Sequence, residues 1–179
     1  MKTFTFKKNS VPLWFTIVIL GFLGFMATLP PKASTDPIVA YGILLLLGLL
    51  FAIFYFRSQT SKIVLSGTEL QIFGDLTNFK TKLENLELQN AKIINLKLEK
   101  NLHAILRTWG VGLPKYVTGW FQLSNSQTGF LFVTDDTKVV HIPTKDQQNL
   151  LLSLENPEEF MTALKTEFER SETKLEESA

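Results

Sequence analysis

One stretch of the 179-residue chain gathers the side chains best suited to recognition. It reads Arg107-Thr-Trp-Gly-Val-Gly-Leu-Pro-Lys-Tyr-Val-Thr-Gly-Trp120, with two tryptophans, a tyrosine, two cations, three glycines and a proline. Aromatic rings supply rigid apolar area, and cations beside them add cation–π and hydrogen-bonding handles. Arg107, Trp109, Lys115 and Tyr116 are the candidate binding residues, on what reads as a glycine-shaped loop. The competing reading packs Trp109 and Trp120 in a core and leaves the glycines only to permit bends. Trp120, within a β-rich run, fits that second reading better; Trp109, Lys115 and Tyr116 fit both equally.

A second candidate surface is electrostatic. Residues 57–115 hold nine Lys/Arg against five Asp/Glu. Lys80, Lys82, Lys92, Lys97 and Lys100 could face anionic lipid, each adding about 1 kcal/mol close to a charged bilayer. The plainer reading is a solvated sheet face or a protected edge. Chemistry of other kinds finds no support. There is no cysteine, and His103 and His141 are the only histidines, so a zinc site would have to recruit both with carboxylates. Asp135-Asp136 is turn composition. Gly110-Val-Gly112 lacks the third glycine and the Lys-Ser/Thr ending of phosphate loops, and neither Ser66 nor Ser124 stands in a nucleophile elbow. No enzyme, cofactor or metal is expected. A net charge of +1 also argues against nucleic acid.

These residues must be positioned by two unlike parts. Asn9–Pro31 is 23 consecutive uncharged residues and Pro37–Phe56 another 20. At about 1.5 Å per residue, 18 helical residues span roughly 27 Å, close to the bilayer hydrocarbon core. Spans over about 12–29 and 38–56 are therefore predicted, joined by a proline-bounded connector from Pro30 to Pro37. Lys2, Lys7 and Lys8 precede the first span, and Arg57 and Lys62 follow the second. The positive-inside rule then puts both termini in the cytoplasm, making a multi-pass inner-membrane protein. Trp14 and Tyr55 suit the same interface. A basic start, an apolar run and the small residues Ala27 and Ala33 also fit a cleavable leader. That run is longer than a leader needs, and a second span follows at once. Gly48 and Ala52 make a small-xxx-small pair that would allow close helix packing, or occur by chance.

Residues 57–170 read as one cytoplasmic domain, and 171–179 as a frayed acidic tail. Ile63–Leu65, the Ser66-Gly67 turn and Leu70/Ile72 form a hairpin, closed by Gly74-Asp75, and a third strand includes Phe79 and Thr81. Residues 83–102 alternate in a way that favours strand, with a bulge around 90–92, although Leu83, Leu86, Asn90 and Ile93 also share a helical face. Gly119–Leu123, Gly129–Val133 and Lys138–Ile142 read as an antiparallel meander. Asn156-Pro157-Glu158-Glu159 is a helix start, with Asn as N-cap and Glu159 placed for a capping-box pair. Phe160, Met161, Leu164 and Phe168 form its apolar face.

The expected fold is thus a two-helix transmembrane hairpin followed by an α+β domain. That domain has about seven antiparallel strands in a bent sheet or small barrel, capped by a C-terminal helix. This order resembles the pleckstrin-homology (PH) architecture. Residues 107–165 resemble a bacterial PH-domain family more closely, through Arg107–Pro114, Gly119-Trp120-Phe121, Phe132-Val-Thr-Asp135, Ile142-Pro-Thr144 and Ser153 to Phe160. Lys115 departs from it, standing where a glycine often follows the proline. The resemblance implies a non-catalytic module anchored on the cytoplasmic face, binding an unknown protein partner. The alternative it leaves is a sensor of anionic lipid or a small ligand.

Overall fold

The computed structural model describes residues 2–28, 37–74 and 76–177. The connector expected before Pro37, with Lys32 and Asp36, and the turn residue Asp75 lie outside the described residues.

Two long helices, α1 (Val11–Thr28) and α2 (Pro37–Gln59), carry apolar side chains on every face. They pack against each other: Phe15 and Phe51 meet edge to face at 6.2 Å, and the Leu20 side chain lies at ordinary contact distance over Gly48. A Cβ at Gly48 would lie 3.6 Å from Leu20 Cδ2, an ordinary contact, so the seam has room for a methyl group there. Away from that seam the apolar surface is bare, with Val18 65% and Leu45 74% exposed. Among the described residues, Tyr41–Gln59 is the one stretch long and apolar enough to cross a membrane; Val11–Met26 is apolar but shorter.

The strand-rich part starts before the helices. β1 (Lys2–Thr5) pairs antiparallel with β2 (Lys62–Ser66), Thr3 opposite Val64. The first residues, read from sequence as a basic flank of the hairpin, are therefore a strand of the domain. Phe4 meets Phe160 edge to face at 5.1 Å, and Phe6 stacks on Phe132. β3 (Glu69–Phe73) and β4 (Asn78–Lys82) complete an antiparallel four-stranded sheet in sequential order.

A second sheet has six strands: β5 (Lys92–Ile94), β6 (Ala104–Leu113), β7 (Tyr116–Leu123), β8 (Thr128–Val133), β9 (Val139–Pro143) and β10 (Gln148–Leu152). Their spatial order is β5-β9-β10-β8-β7-β6. Helix α3 (Pro157–Glu177) packs Phe160 and Leu164 into the main core with Ile63, Leu70, Phe130 and Leu150. A smaller cluster, including Phe121, Leu131, Val139 and Leu151, fills the opposite face of the six-stranded sheet under Ile94 and Leu102.

Sheets capped by a C-terminal helix match the expected class, and four details differ. Ten strands are present among the described residues rather than about seven. The meander is interrupted, because β10 lies between β8 and β9 and runs parallel to β8. Strands buried on both faces belong in the middle of a sheet, and Leu150, Leu151 and Leu152 are all fully buried. Residues 83–102 are mostly irregular: two 3-10 turns, Leu83–Asn85 and Lys100–Leu102, flank the short β5. Their alternation has another cause. Leu83, Leu86 and Leu88 drop into the main core, and Ile94 and Leu102 into the second, as the chain crosses between sheets. Finally, α3 continues through Ser171 to Glu177, where the sequence suggests a frayed tail.

Candidate functional site

The stretch expected to be a loop is a hairpin. β6 and β7 pair from Ala104↔Leu123 to Leu113↔Tyr116, closed by Pro114 and Lys115 alone. Proline presets the first turn position, and the second then favours φ > 0, a glycine preference. Lys115 takes it with φ 60°. Gly110 and Gly119 face each other, and a Cβ on either would fall 2.0–2.2 Å from the opposing backbone oxygen. Only glycine permits that approach. Register shifts leave Ile105 and Thr108 as bulge residues, and the Thr108 hydroxyl donates to the Trp120 carbonyl at 2.9 Å.

Arg107 and Trp109 lie exposed on β6, and Lys115 is exposed at the hairpin tip. Tyr116 turns inward, 2% exposed, its ring 6.3 Å from that of Phe132. Trp120 faces the core side, edge-on to Phe79 and Phe130. The hairpin thus carries all four sequence candidates without gathering them: Arg107 lies opposite Phe121 and Trp109 opposite Trp120, on different faces of the sheet, Lys115 stands at the tip and Tyr116 is inside. β6 is also the outermost strand of its sheet, and it exposes Ile105 (62%), Leu106 (58%) and Trp109 (65%).

The lysines proposed for lipid contact are distributed over both sheets. Lys80 pairs with Glu69 at 2.9 Å, Lys82 with Glu84 at 3.0 Å, Lys92 with Glu99 at 3.7 Å and Lys97 with Asp136 at 3.5 Å. The Lys80 contact holds the Glu69 carboxyl below its usual range. Lys100 opens the second 3-10 turn.

Sequence reasoning missed a junction that joins the helices to this hairpin. Asn9 caps α1, its Oδ1 accepting from the Val11 amide at 2.8 Å. Its Nδ2 donates to the Lys115 carbonyl at 2.5 Å and to the Thr134 carbonyl at 3.0 Å. Thr134 returns a bond to the Lys7 carbonyl at 2.7 Å, and Lys7 pairs with Asp135. The Lys7 ammonium, with the hydroxyl and amide of Thr137, holds the Asp135 carboxyl far below its ordinary value. Fully buried Ser153 completes the knot: its hydroxyl accepts from the amides of Thr134 and Asp135 and donates to the Asp135 carbonyl. The Phe-Val-Thr-Asp and Ser153 motifs are therefore a structural latch. The available signal was Asn9 two residues before an apolar helix with Pro12 in its first turn.

A cleft of about 610 Å³ opens beside this junction, floored by Val117, Leu131 and Val133 and rimmed by Lys97, Lys115 and Asp136. His103 lines this cleft, whereas His141 lies elsewhere. His103 Nε2 bonds the Leu96 carbonyl at 2.7 Å, and His141 Nε2 bonds Asn149 Oδ1 at 2.8 Å. Burial pushes the His141 pKa down, favouring the neutral ring. Among the described residues, no group of three or more His, Cys, Asp or Glu could hold a metal ion.

Compared with known proteins, residues 80–168 match a family model described as Bacterial PH domain. The match begins within β4 and ends within α3, so it spans the six-stranded sheet and the capping helix. No curated protein and no solved structure matches the chain.

Proposed function

We propose, from the match of residues 80–168 to the bacterial PH domain family model, that this chain is a binding module held at the inner membrane by α1 and α2. Domains of this kind are in general binding modules, and no catalytic family is indicated. Bare apolar surface on both helices supports the anchor, since soluble monomers rarely expose patches of that extent. A two-span hairpin also agrees with the pairing of β1, before α1, with β2, after α2. Both ends of the hairpin then emerge on one side, which the lysine bias makes the cytoplasm.

The proposed docking surface is β6, and its exposed apolar residues on an unshared sheet edge carry the proposal. Ten residues at about 3.3 Å each leave roughly 33 Å of outer edge. Such edges are usually shortened, charged or covered. The bulges at Ile105 and Thr108 break any continuous backbone ladder. Side-chain packing on Ile105, Leu106 and Trp109 therefore drives the contact with a protein partner, and Arg107 projects to the other face of the strand. Pairing of Lys80, Lys82, Lys92 and Lys97 with carboxylates favours this over a lipid-sensing lysine face.

A photo-crosslinking residue at Ile105, in native membranes, should capture a protein that the same probe at exposed Lys145 does not. Trp109→Ala should sharply reduce that capture. Equal labelling at both positions would sink the assignment. A C-terminal reporter active only outside the cytoplasm would overturn the orientation.

A further inference from the structure

The β6–β7 turn places a lysine where the backbone prefers glycine. Left-handed φ is free for glycine and disfavoured for other L-residues. Lys115 shares this conformation with Ser126 and Gln147, but Lys115 alone of the three is bonded to the start of a helix proposed to enter the membrane. Asn9 links the two, capping α1 while donating to the Lys115 carbonyl. The depth of the turn follows. Trp14, exposed in the first turns of α1, is the aromatic type that settles at a bilayer interface. Asn9 precedes it by five residues: Val11 to Trp14 rises about 4.5 Å as helix, and the two non-helical residues before Val11 add at most about 7 Å. The headgroup layer is about 5–8 Å thick on each side. The turn therefore lies at headgroup level, provided α1 crosses the membrane.

Charge there is available. Lys7 is occupied by Asp135. The ammonium groups of Lys8 and Lys115 have no hydrogen-bond or ion-pair partner among the described residues, and both side chains are exposed. Pro114 beside Lys115 is exposed as well.

We propose that the Pro114–Lys115 turn is a headgroup contact, in which Lys115 and Lys8 engage phosphates of anionic phospholipid in the bilayer that anchors the chain. This rests on the membrane reading above. It differs from the lysine face considered from sequence, whose members are mostly paired on the sheets. The contact braces the hairpin against the bilayer and so fixes how β6 is presented.

The test uses the full chain in nanodiscs of phosphatidylcholine, with and without added phosphatidylglycerol. Wild type should melt at a higher temperature with the anionic lipid, and high salt should erase the increment. Each lysine should contribute about fivefold in apparent lipid affinity. Lys115→Gly should raise the melting temperature in phosphatidylcholine alone, by relieving the left-handed strain, yet lose most of the anionic increment. Lys115→Arg should keep the increment. Lys115→Asn, neutral but tolerant of φ > 0, decides the matter if glycine loosens the hairpin. An undiminished increment in both neutral variants overturns the inference, as does an equal increment from inorganic phosphate in phosphatidylcholine discs. Flotation separates the two levels. Wild type that fails to float with liposomes after an alkaline wash removes the membrane reading; wild type that floats but shows no increment removes only the headgroup contact.

Discussion

Two edge strands of this molecule put the same kind of residue to opposite use. β1 is four residues long and, with Phe6 just beyond it, turns its phenylalanines onto Phe160 and Phe132. β6 is ten residues long and holds Ile105, Leu106 and Trp109 out to solvent. β1 is held along its length by β2 and, just beyond its C-terminal end, by the Lys7–Thr134–Ser153 knot. β6 is held on one side only, through β7. An apolar edge that is covered stabilises the fold, and one left bare is a surface awaiting a partner.

Mutations can break that contrast. Phe6→Ala should cost the most, about 3–5 kcal/mol, because it removes a buried ring stacked on Phe132. Chemical denaturation of the detergent-solubilised chain would measure it. A loss below about 1 kcal/mol would mean that β1 is peripheral to the core. Asn9→Ala should cost about 1 kcal/mol through the lost helix cap. It should also raise hydrogen exchange at Tyr116 and Val117, because the same side chain holds the Lys115 carbonyl.

Acid should act next, in two stages. His141 has a folded pKa below its ordinary 6.5, so the unfolded chain binds the proton first. Its contribution is full above about pH 6.5 and is lost as pH falls below it. His141→Gln should flatten that part of a stability-versus-pH curve. Asp135 is held below its ordinary 3.8, so its contribution is present above that value and is lost as pH drops through the lower folded value. Asp135→Asn should remove this second stage, which belongs to the β1 side of the comparison. Trp109→Ala should move stability least, within about 0.5 kcal/mol, while it depresses crosslinking from Ile105. A destabilisation as large as that of Phe6→Ala would make β6 a core strand and end the distinction.

The sequence was most legible where a single local rule sufficed. The charge-free runs became two helices, and Asn156-Pro157 began α3 with Asn156 and Glu159 in side-chain contact at 3.3 Å. The Ser66-Gly67 turn and its hairpin appeared where alternation placed them. The candidate site was legible in composition and misread in form. Three glycines and a proline suggested a loop, whereas opposed Gly110 and Gly119 let two strands approach. Lys2–Thr5 escaped notice because four residues carry too little periodicity to be read as a strand. Their partner, β2, lies on the far side of both helices.

Sequence alone determined the two apolar helices, the Asn156 start of α3 and the Ser66-Gly67 hairpin, since hydropathy and turn chemistry act over a few neighbouring residues. Tertiary structure alone decided that β10 would divide β8 from β9, that Tyr116 would face inward while Trp109 faced out, and that Asn9 would bolt the helices to the Lys115 turn. Each depends on residues far apart in the chain competing to bury the same surface, and no local pattern records which of them prevails.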